Sequence, residues 1–319
     1  MSTATLSKGR ALPAGGTVGV VAPAAGAFGR SVVTRGVRAW ETRGFHVKVF
    51  EQVYERDGYF AGGDLERAAA MQQAFEDPSI DVVQVLHGGY GSTRIIEHLN
   101  FDKIAATGKT LVGRSDVTAL HLALANLAGV VTFYGPGMAD IAHPRGSAFT
   151  ADALVRALTG PVGTVPPHPH DGEVFTLSPG RVSAPVVGGC LWPLCKAIGT
   201  AWQLDHRGKI LFLEEVGEPP WSIDAHLTHL AQAGLLAGVA GVVVGRLVDC
   251  DWSERRPESP NNLSLDEVLE RHLAPLGVPV LFGVPIGHEK DTATIPLGVT
   301  GILDADAGTL SFDEAGVAP

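Results

Sequence analysis

LVGRSDVTALHLALANLAG, residues 111–129, is the stretch whose reading decides the fold. Apolar residues run into Gly113, a Ser-Asp pair follows, and apolar side chains then recur at Val117, Leu120, Leu124 and Leu127. That recurrence is the one-face spacing of a helix, so a strand is predicted to turn sharply into a helix at Ser115. The first N–H groups of a helix lack internal partners and lie at the positive end of its dipole. A serine on such a turn is held out at the sheet edge, and the amide of Asp116 can receive a developing oxyanion. Ser and Asp are also favoured helix caps, so the segment alone leaves plain capping open.

Working outward, TVGVVA reads as a first strand, SVVTRGVRAWETRG as a helix closed by glycine, and HVKVF as a second strand. Gly62 and Gly63 form a turn, Asp64 can cap the next helix, and Pro78 stops it. DVVQVL, residues 81–86, is a third strand emptying into HGGYGS, and VTFYGPGM, residues 131–138, follows the Ser115 helix as another. Strands alternating with helices predict a parallel sheet covered on both faces. Ligands bind such sheets at the carboxyl ends of the strands, where HGGYGS and GRSD both fall. The glycines at 88 and 89 are compatible with a phosphate cradle, a backbone donor near a reacting carbonyl, or a plain tight turn. Neither GxGxxG nor GxxxxGK[ST] is present, which gives nucleotide binding little support.

With 319 residues the chain exceeds the ~250–300 at which single cores stop growing, so two domains are expected. Charged residues at 18% and hydrophobic ones at 45% are ordinary for a globular protein. A net charge of −10 argues against nucleic acid or an anionic membrane as partner. Only Cys190, Cys195 and Cys250 occur, too few and too scattered for a disulfide framework or a zinc site, so a reducing cytoplasm is the simplest compartment. The apolar run after Lys8 and Arg10 is short and holds Pro23 and Gly26, which favours a strand over a signal peptide. No run approaches the ~18 apolar residues of a membrane span.

From about Ala142 to Ser183, prolines and glycines break the rhythm. The expected organisation is therefore an α/β domain over 1–145, a crossing over 146–183, and a β-rich second domain over 184–319. His168 and His170 read as surface-loop residues rather than metal ligands. In the second half, residues 210–213 form a strand ending in Glu214 and Glu215, which are either solvated rim residues or site residues. His226 and His229 lie one helical turn apart, but no HExxH accompanies them. His288 sits on a Gly-His turn after a strand, and is either a structural residue or a base.

Ser115, Glu214 and His288 thus occur in the order nucleophile, acid, base, each at a strand-to-loop transition. A serine hydroxyl becomes nucleophilic when a neighbouring imidazole takes its proton, and an acid fixes the tautomer of that imidazole. The turn is not the GxSxG elbow of α/β-hydrolases, because Val117 replaces the second glycine.

Several long segments, in order, carry a resemblance: VVAPAAG, YFAGGDLERAAAMQQAFEDPSIDVV, GGYGSTRII, GRSDVTALHLAL, YGPGM, GGCLWPLCKAIGT, ILFLEEVGEPPWSID and GHEKDTATIPLG. Through them the chain resembles the LD-carboxypeptidases of serine peptidase family S66, which also contains the microcin C immunity peptidases. The resemblance implies a flavodoxin-like N-terminal domain with a smaller β-rich C-terminal domain, working as a homodimer without metal or cofactor. It implies Ser115 as nucleophile, His288 as base and Glu214 as acid, with the amides of Asp116 and of Gly88 or Gly89 as oxyanion donors. The implied reaction releases terminal D-alanine from the L-centre of a diamino acid in cytoplasmic murein tetrapeptides. Peptidyl or aminoacyl adenylate analogues are the alternative substrates, and a non-catalytic ligand-binding module is the alternative of another class. Trp192, Glu218 and Arg114 are candidate substrate contacts. The chain departs from the family pattern at His87, where arginine is usual, at Cys190, where asparagine is usual, and at Ser222 and Ala225, where a basic Arg-x-x-Arg pair is usual. Arg114, at a position often aromatic in the family, either compensates for those lost cations or points to solvent.

Overall fold

A computed structural model describes residues 5–141, 148–169, 174–253 and 261–319. Its strands are β1 (Thr17–Val21), β2 (His46–Val49), β3 (Val82–Val85), β4 (Leu111–Gly113), β5 (Thr132–Tyr134), β6 (Gly163–Thr164) and β7 (Phe175–Ser178). The second half adds β8 (Arg181–Cys190), β9 (Ile210–Val216), β10 (Gly241–Val248), β11 (Val280–Gly287), β12 (Ile295–Leu297), β13 (Thr300–Asp304) and β14 (Thr309–Phe312).

The first five strands form a parallel sheet in the order β2-β1-β3-β4-β5. This is the flavodoxin-like arrangement with its switch point between β1 and β3, where ligand sites open in such sheets. β3 and β4 are buried along their whole length, as a sheet covered on both faces requires. β12 closes the far edge, antiparallel to β5, with Ile295 opposite Tyr134 and Leu297 opposite Thr132. Pro296 is tolerated there because an edge strand has one side free of ladder bonds.

The second sheet has eight strands in the order β6-β14-β13-β8-β9-β10-β11-β7. Its centre, β8 through β11, is parallel, and antiparallel strands flank it. Helices Leu191–Lys196, Pro220–Gln232 and Leu265–Leu273 bury their apolar sides with this sheet, so the second half is itself layered α/β at its centre and all-β at one edge.

Two local expectations change. The prolines and glycines of 142–183 predict a break in the strand and helix rhythm, whereas Ala148–Thr159 is a helix with Leu154, Ala157 and Leu158 buried. Its run of Ala and Leu, strong helix formers, outweighs the flanking prolines. One buried cluster runs from Val18 and Phe133 through Leu154 to Phe212, Leu281 and Phe312, so that helix and both sheets share apolar packing. The segment after Ser115 is also not a simple amphipathic helix. It passes from a tight turn, Ser115–Val117, through Thr118–Ala123 to a wide π turn over Leu124–Ala128, and every residue of Thr118–Ala123 is buried. The reason is that β8 and the Leu191–Lys196 helix cover the side that solvent would otherwise wet. Among the described residues no helix is long and apolar enough to cross a membrane.

Candidate active site

Ser115 occupies the turn immediately after β4 with φ 66, one of three non-glycine residues with positive φ among those described. An L-residue adopts that conformation at a cost, which surrounding bonds must offset. Here the Ser115 amide donates to the Tyr134 hydroxyl at 3.0 Å. The Tyr134 hydroxyl in turn donates to Glu214 Oε1. Burial pushes the Tyr134 phenol well above its ordinary range, so it remains a donor.

Glu214 lies near the end of β9 and is fully buried. Its second oxygen, Oε2, meets His288 Nδ1 at 2.6 Å. An ionised carboxylate only accepts, so Nδ1 carries the proton and the lone pair lies on Nε2. Small neighbours make room for this pair. A Cβ at Gly245 would fall 2.1 Å from the Ile286 carbonyl and 3.2 Å from Glu214 Cβ, and one at Gly287 would lie 2.7 Å from Glu214 Oε2. His288 follows β11 directly and keeps 14% of its side chain exposed.

A second bridge ties the Ser115 turn to the segment carrying His288. Arg114 Nη1 donates to the carbonyl of Gly287, and Nη2 pairs with Asp140 at 2.8 Å. The residue before Ser115 is thereby fixed to the residue before His288. The sequence offers Arg114 only as a candidate substrate contact, not as this bridge, and it does not mark Tyr134 as part of the site. The Tyr134 signal was limited to its place at the end of a strand beside the Ser115 turn.

The glycine loop comes up against the serine. A Cβ at Gly88 would lie 2.8 Å from Ser115 Cβ and 3.1 Å from its Oγ, so the Gly88 backbone abuts the Ser115 side chain. Gly89 has φ 122, a conformation that side chains rarely take. Asp116 fixes this loop from the other side, since its carboxylate accepts the Ser92 amide at 2.7 Å. Burial raises the Asp116 carboxyl. Gly88→Ala keeps the N–H but forces the loop away from Ser115, and is therefore expected to lower kcat/KM by about 10²- to 10³-fold, the size of displacing one oxyanion donor, and to lower the thermal midpoint as well. Steady-state kinetics beside a melting curve check this.

Ser115 lines a cavity of about 600 Å³, as do Gly89, Asp116, Trp192 and Glu218. Two of the three candidate substrate contacts, Trp192 and Glu218, thus face it, whereas Arg114 is committed to Asp140 and Gly287 and neither lines it nor points freely to solvent. Glu215, pointing to the opposite side of β9 from Glu214, also lines it. That carboxylate accepts from Trp192 N and Val216 N, both at 2.9 Å, and from Cys190 Sγ, and burial raises its pKa. Of the departures from the family pattern, Cys190 lines the cavity. His87 instead bonds the Gly26 carbonyl at 3.0 Å and stacks on Phe28.

Among the described residues no group of three or more His, Cys, Asp or Glu side chains is arranged to hold a metal. His168 is not a free surface residue but meets Glu289 at 3.2 Å, and His170 lies outside the described residues. His226 has its Nε2 buried without a hydrogen-bond partner, while His229 is exposed.

Comparison with known proteins matches residues 18–135 to the LD-carboxypeptidase N-terminal domain and residues 183–303 to the LD-carboxypeptidase C-terminal domain. A putative carboxypeptidase of Streptomyces coelicolor is 39% identical over 266 residues, covering 80% of this chain and 79% of the relative. The probable murein peptide carboxypeptidase of Bacillus subtilis is 33% identical over 320 residues, covering 97% and 95%. The microcin C7 self-immunity protein of Escherichia coli is 28% identical over 308 residues, covering 88% and 87%. Among solved structures, the muramoyltetrapeptide carboxypeptidase of Oxalobacter formigenes superimposes with a TM-score of 0.79 at 29% identity, covering 92% of this chain and 97% of that one.

Proposed function

The chain belongs to the LD-carboxypeptidase family of serine peptidases, and from that premise we propose that it releases terminal D-alanine from murein tetrapeptides, with Ser115, His288 and Glu214 as its triad. The observation that carries this reading is the chain of bonds from the Ser115 amide through Tyr134 to Glu214 and on to His288. His288 Nε2 takes the Ser115 proton as Oγ attacks the scissile carbonyl. The oxyanion forms against the amides of Asp116 and of Gly88 or Gly89. Collapse of that intermediate breaks the C–N bond, and His288 returns the proton to the departing amine of D-alanine. Water, activated by the same imidazole, then resolves the acyl-enzyme. Glu214 holds the imidazole and stabilises it while it is charged. The family resemblance further supports a cytoplasmic homodimer acting on recycled wall peptides.

A second reading, cleavage of aminoacyl or peptidyl adenylate analogues, is favoured by the similarity to the microcin C7 self-immunity protein and by Trp192 and Trp202 in the cavity wall. Incubating the purified protein with a murein tetrapeptide and, separately, with an aminoacyl sulfamoyl adenosine separates the two. D-alanine and tripeptide detected by mass spectrometry are the expected products. Cleavage of the nucleoside conjugate with the tetrapeptide left intact would favour the second reading.

A further inference from the structure

We propose that Lys196 anchors the free terminal carboxylate of the substrate, and is thus the residue that confines this serine peptidase to the last bond of a peptide. The inference rests on the carboxypeptidase reading above and names a recognition element within it.

A carboxypeptidase has to bring a carboxylate out of water, and that costs several kcal/mol unless a cation or a set of donors meets it. No cation reaches the cavity from His87, Ser222 or Ala225, none of which lines it. Other cations near the site are committed. Arg114 serves Asp140 and the Gly287 carbonyl, and Arg67 and Arg94 both serve Asp64. Among the described residues, Lys196 is the one lysine or arginine lining the cavity.

Its position is held rather than loose. Lys196 ends the Leu191–Lys196 helix, which starts at the cavity wall immediately after Cys190. Its Nζ stands 5.3 Å from the centroid of the Trp192 ring. An ammonium over an indole face keeps its charge and part of its attraction for an anion while its stem is pinned. Trp192 is in turn packed edge-on against Tyr90, with centroids 6.0 Å apart, next to the glycine loop that abuts Ser115. Lys196 and the nucleophile therefore share one cavity and one wall.

The lining carboxylates leave this ammonium available. Of the three, Asp116 is turned onto the Ser92 amide, Glu215 is bonded to Cys190 and to two backbone amides, and Glu218 makes no ion pair within 4.0 Å among the described residues. Among the described residues Lys196 makes no ion pair within 4.0 Å.

The test compares one murein tetrapeptide ending in D-alanine with the same peptide ending in D-alaninamide, using wild type, Lys196→Met and Lys196→Arg. Lys196 is exposed, so neither substitution disturbs the core. Wild type is expected to prefer the free acid. Lys196→Met is expected to lower kcat/KM on the acid by about 10- to 100-fold, mainly through KM, with the amide unaffected. Lys196→Arg should recover part of the preference. An undiminished acid-to-amide preference in Lys196→Met overturns the proposal while the carboxypeptidase reading stands. If wild type cuts neither peptide although Ser115 still takes a serine-directed acylating reagent, the carboxypeptidase reading has failed and this assignment falls with it.

Discussion

Ser115→Ala is expected to lower kcat on the tetrapeptide by about 10⁴- to 10⁶-fold, the range seen when the nucleophile of a serine peptidase is removed. The substitution takes away one oxygen and nothing that the fold uses. Ser115 is held through its backbone amide, by the Tyr134 hydroxyl, and alanine keeps that bond. Alanine also bears the same positive φ of 66 with no larger Cβ penalty than serine. Circular dichroism and the thermal midpoint should therefore match wild type within experimental scatter. Residual turnover near the wild-type rate would remove Ser115 from the mechanism, because binding and oxyanion donors alone leave only a small remainder.

Glu214→Gln is expected to cost about 10⁴-fold in kcat, for a reason visible in its two bonds. Each carboxylate oxygen accepts one hydrogen, from Tyr134 on one side and from His288 on the other. An amide has a single accepting oxygen, so one of the two contacts must become donor against donor. If the amide nitrogen faces His288, the imidazole is driven to the tautomer that puts its proton toward Ser115. If it faces Tyr134, that hydroxyl already accepts from the Ser115 amide and its own proton loses its acceptor. The site is fully buried, so the mismatch also costs stability, about 1–3 kcal/mol for one unsatisfied buried group. A pH–rate profile beside a urea melt reads both effects. Wild-type kcat in this variant would mean that Glu214 does not orient the base.

Much of the first domain was legible because its signals are local. The strand entering Gly113, the turn at Ser115 and the alternation of strands and helices follow from spacings within a dozen residues, and β1 through β5 lie where those spacings put them. The candidate triad was suggested by its order along the chain and sharpened by family likeness. What periodicity does not carry is contact between distant segments. The Arg114 bond to Gly287 spans 173 positions, and the Tyr134 bond to Glu214 spans 80. No spacing rule distinguishes Tyr134 from any other strand-end tyrosine, although it joins the nucleophile's turn to the acid. The all-round burial of the helix after Ser115 escapes periodicity for a related reason. Its polar and small residues would face water in an isolated domain, but the second sheet covers them. β12 likewise reads as a short segment near the end of the chain, yet its partner is β5 of the first sheet.

These long-range ties hold Glu214 and His288, from one half of the chain, to the turn that carries Ser115 in the other. Arg114 and Tyr134 both cross between the two sheets at the turn that carries Ser115. Their bonds lie beside the cavity that also takes in Trp192, Glu218 and Lys196. The glycine loop is pinned from below by Asp116 and comes within side-chain distance of Ser115 from above.

The proposed reaction requires one activated hydroxyl, that of Ser115. Treating wild type, Ser115→Ala and His288→Ala with a fluorophosphonate, then mapping the adduct by peptide mass spectrometry over time, tests it most directly. One adduct on the peptide containing Ser115 is predicted for wild type, none for Ser115→Ala, and labelling slowed by at least about 10²-fold for His288→Ala, the lower end of a general base's contribution. An adduct elsewhere in the chain, or equal labelling rates with and without the imidazole at 288, would contradict it.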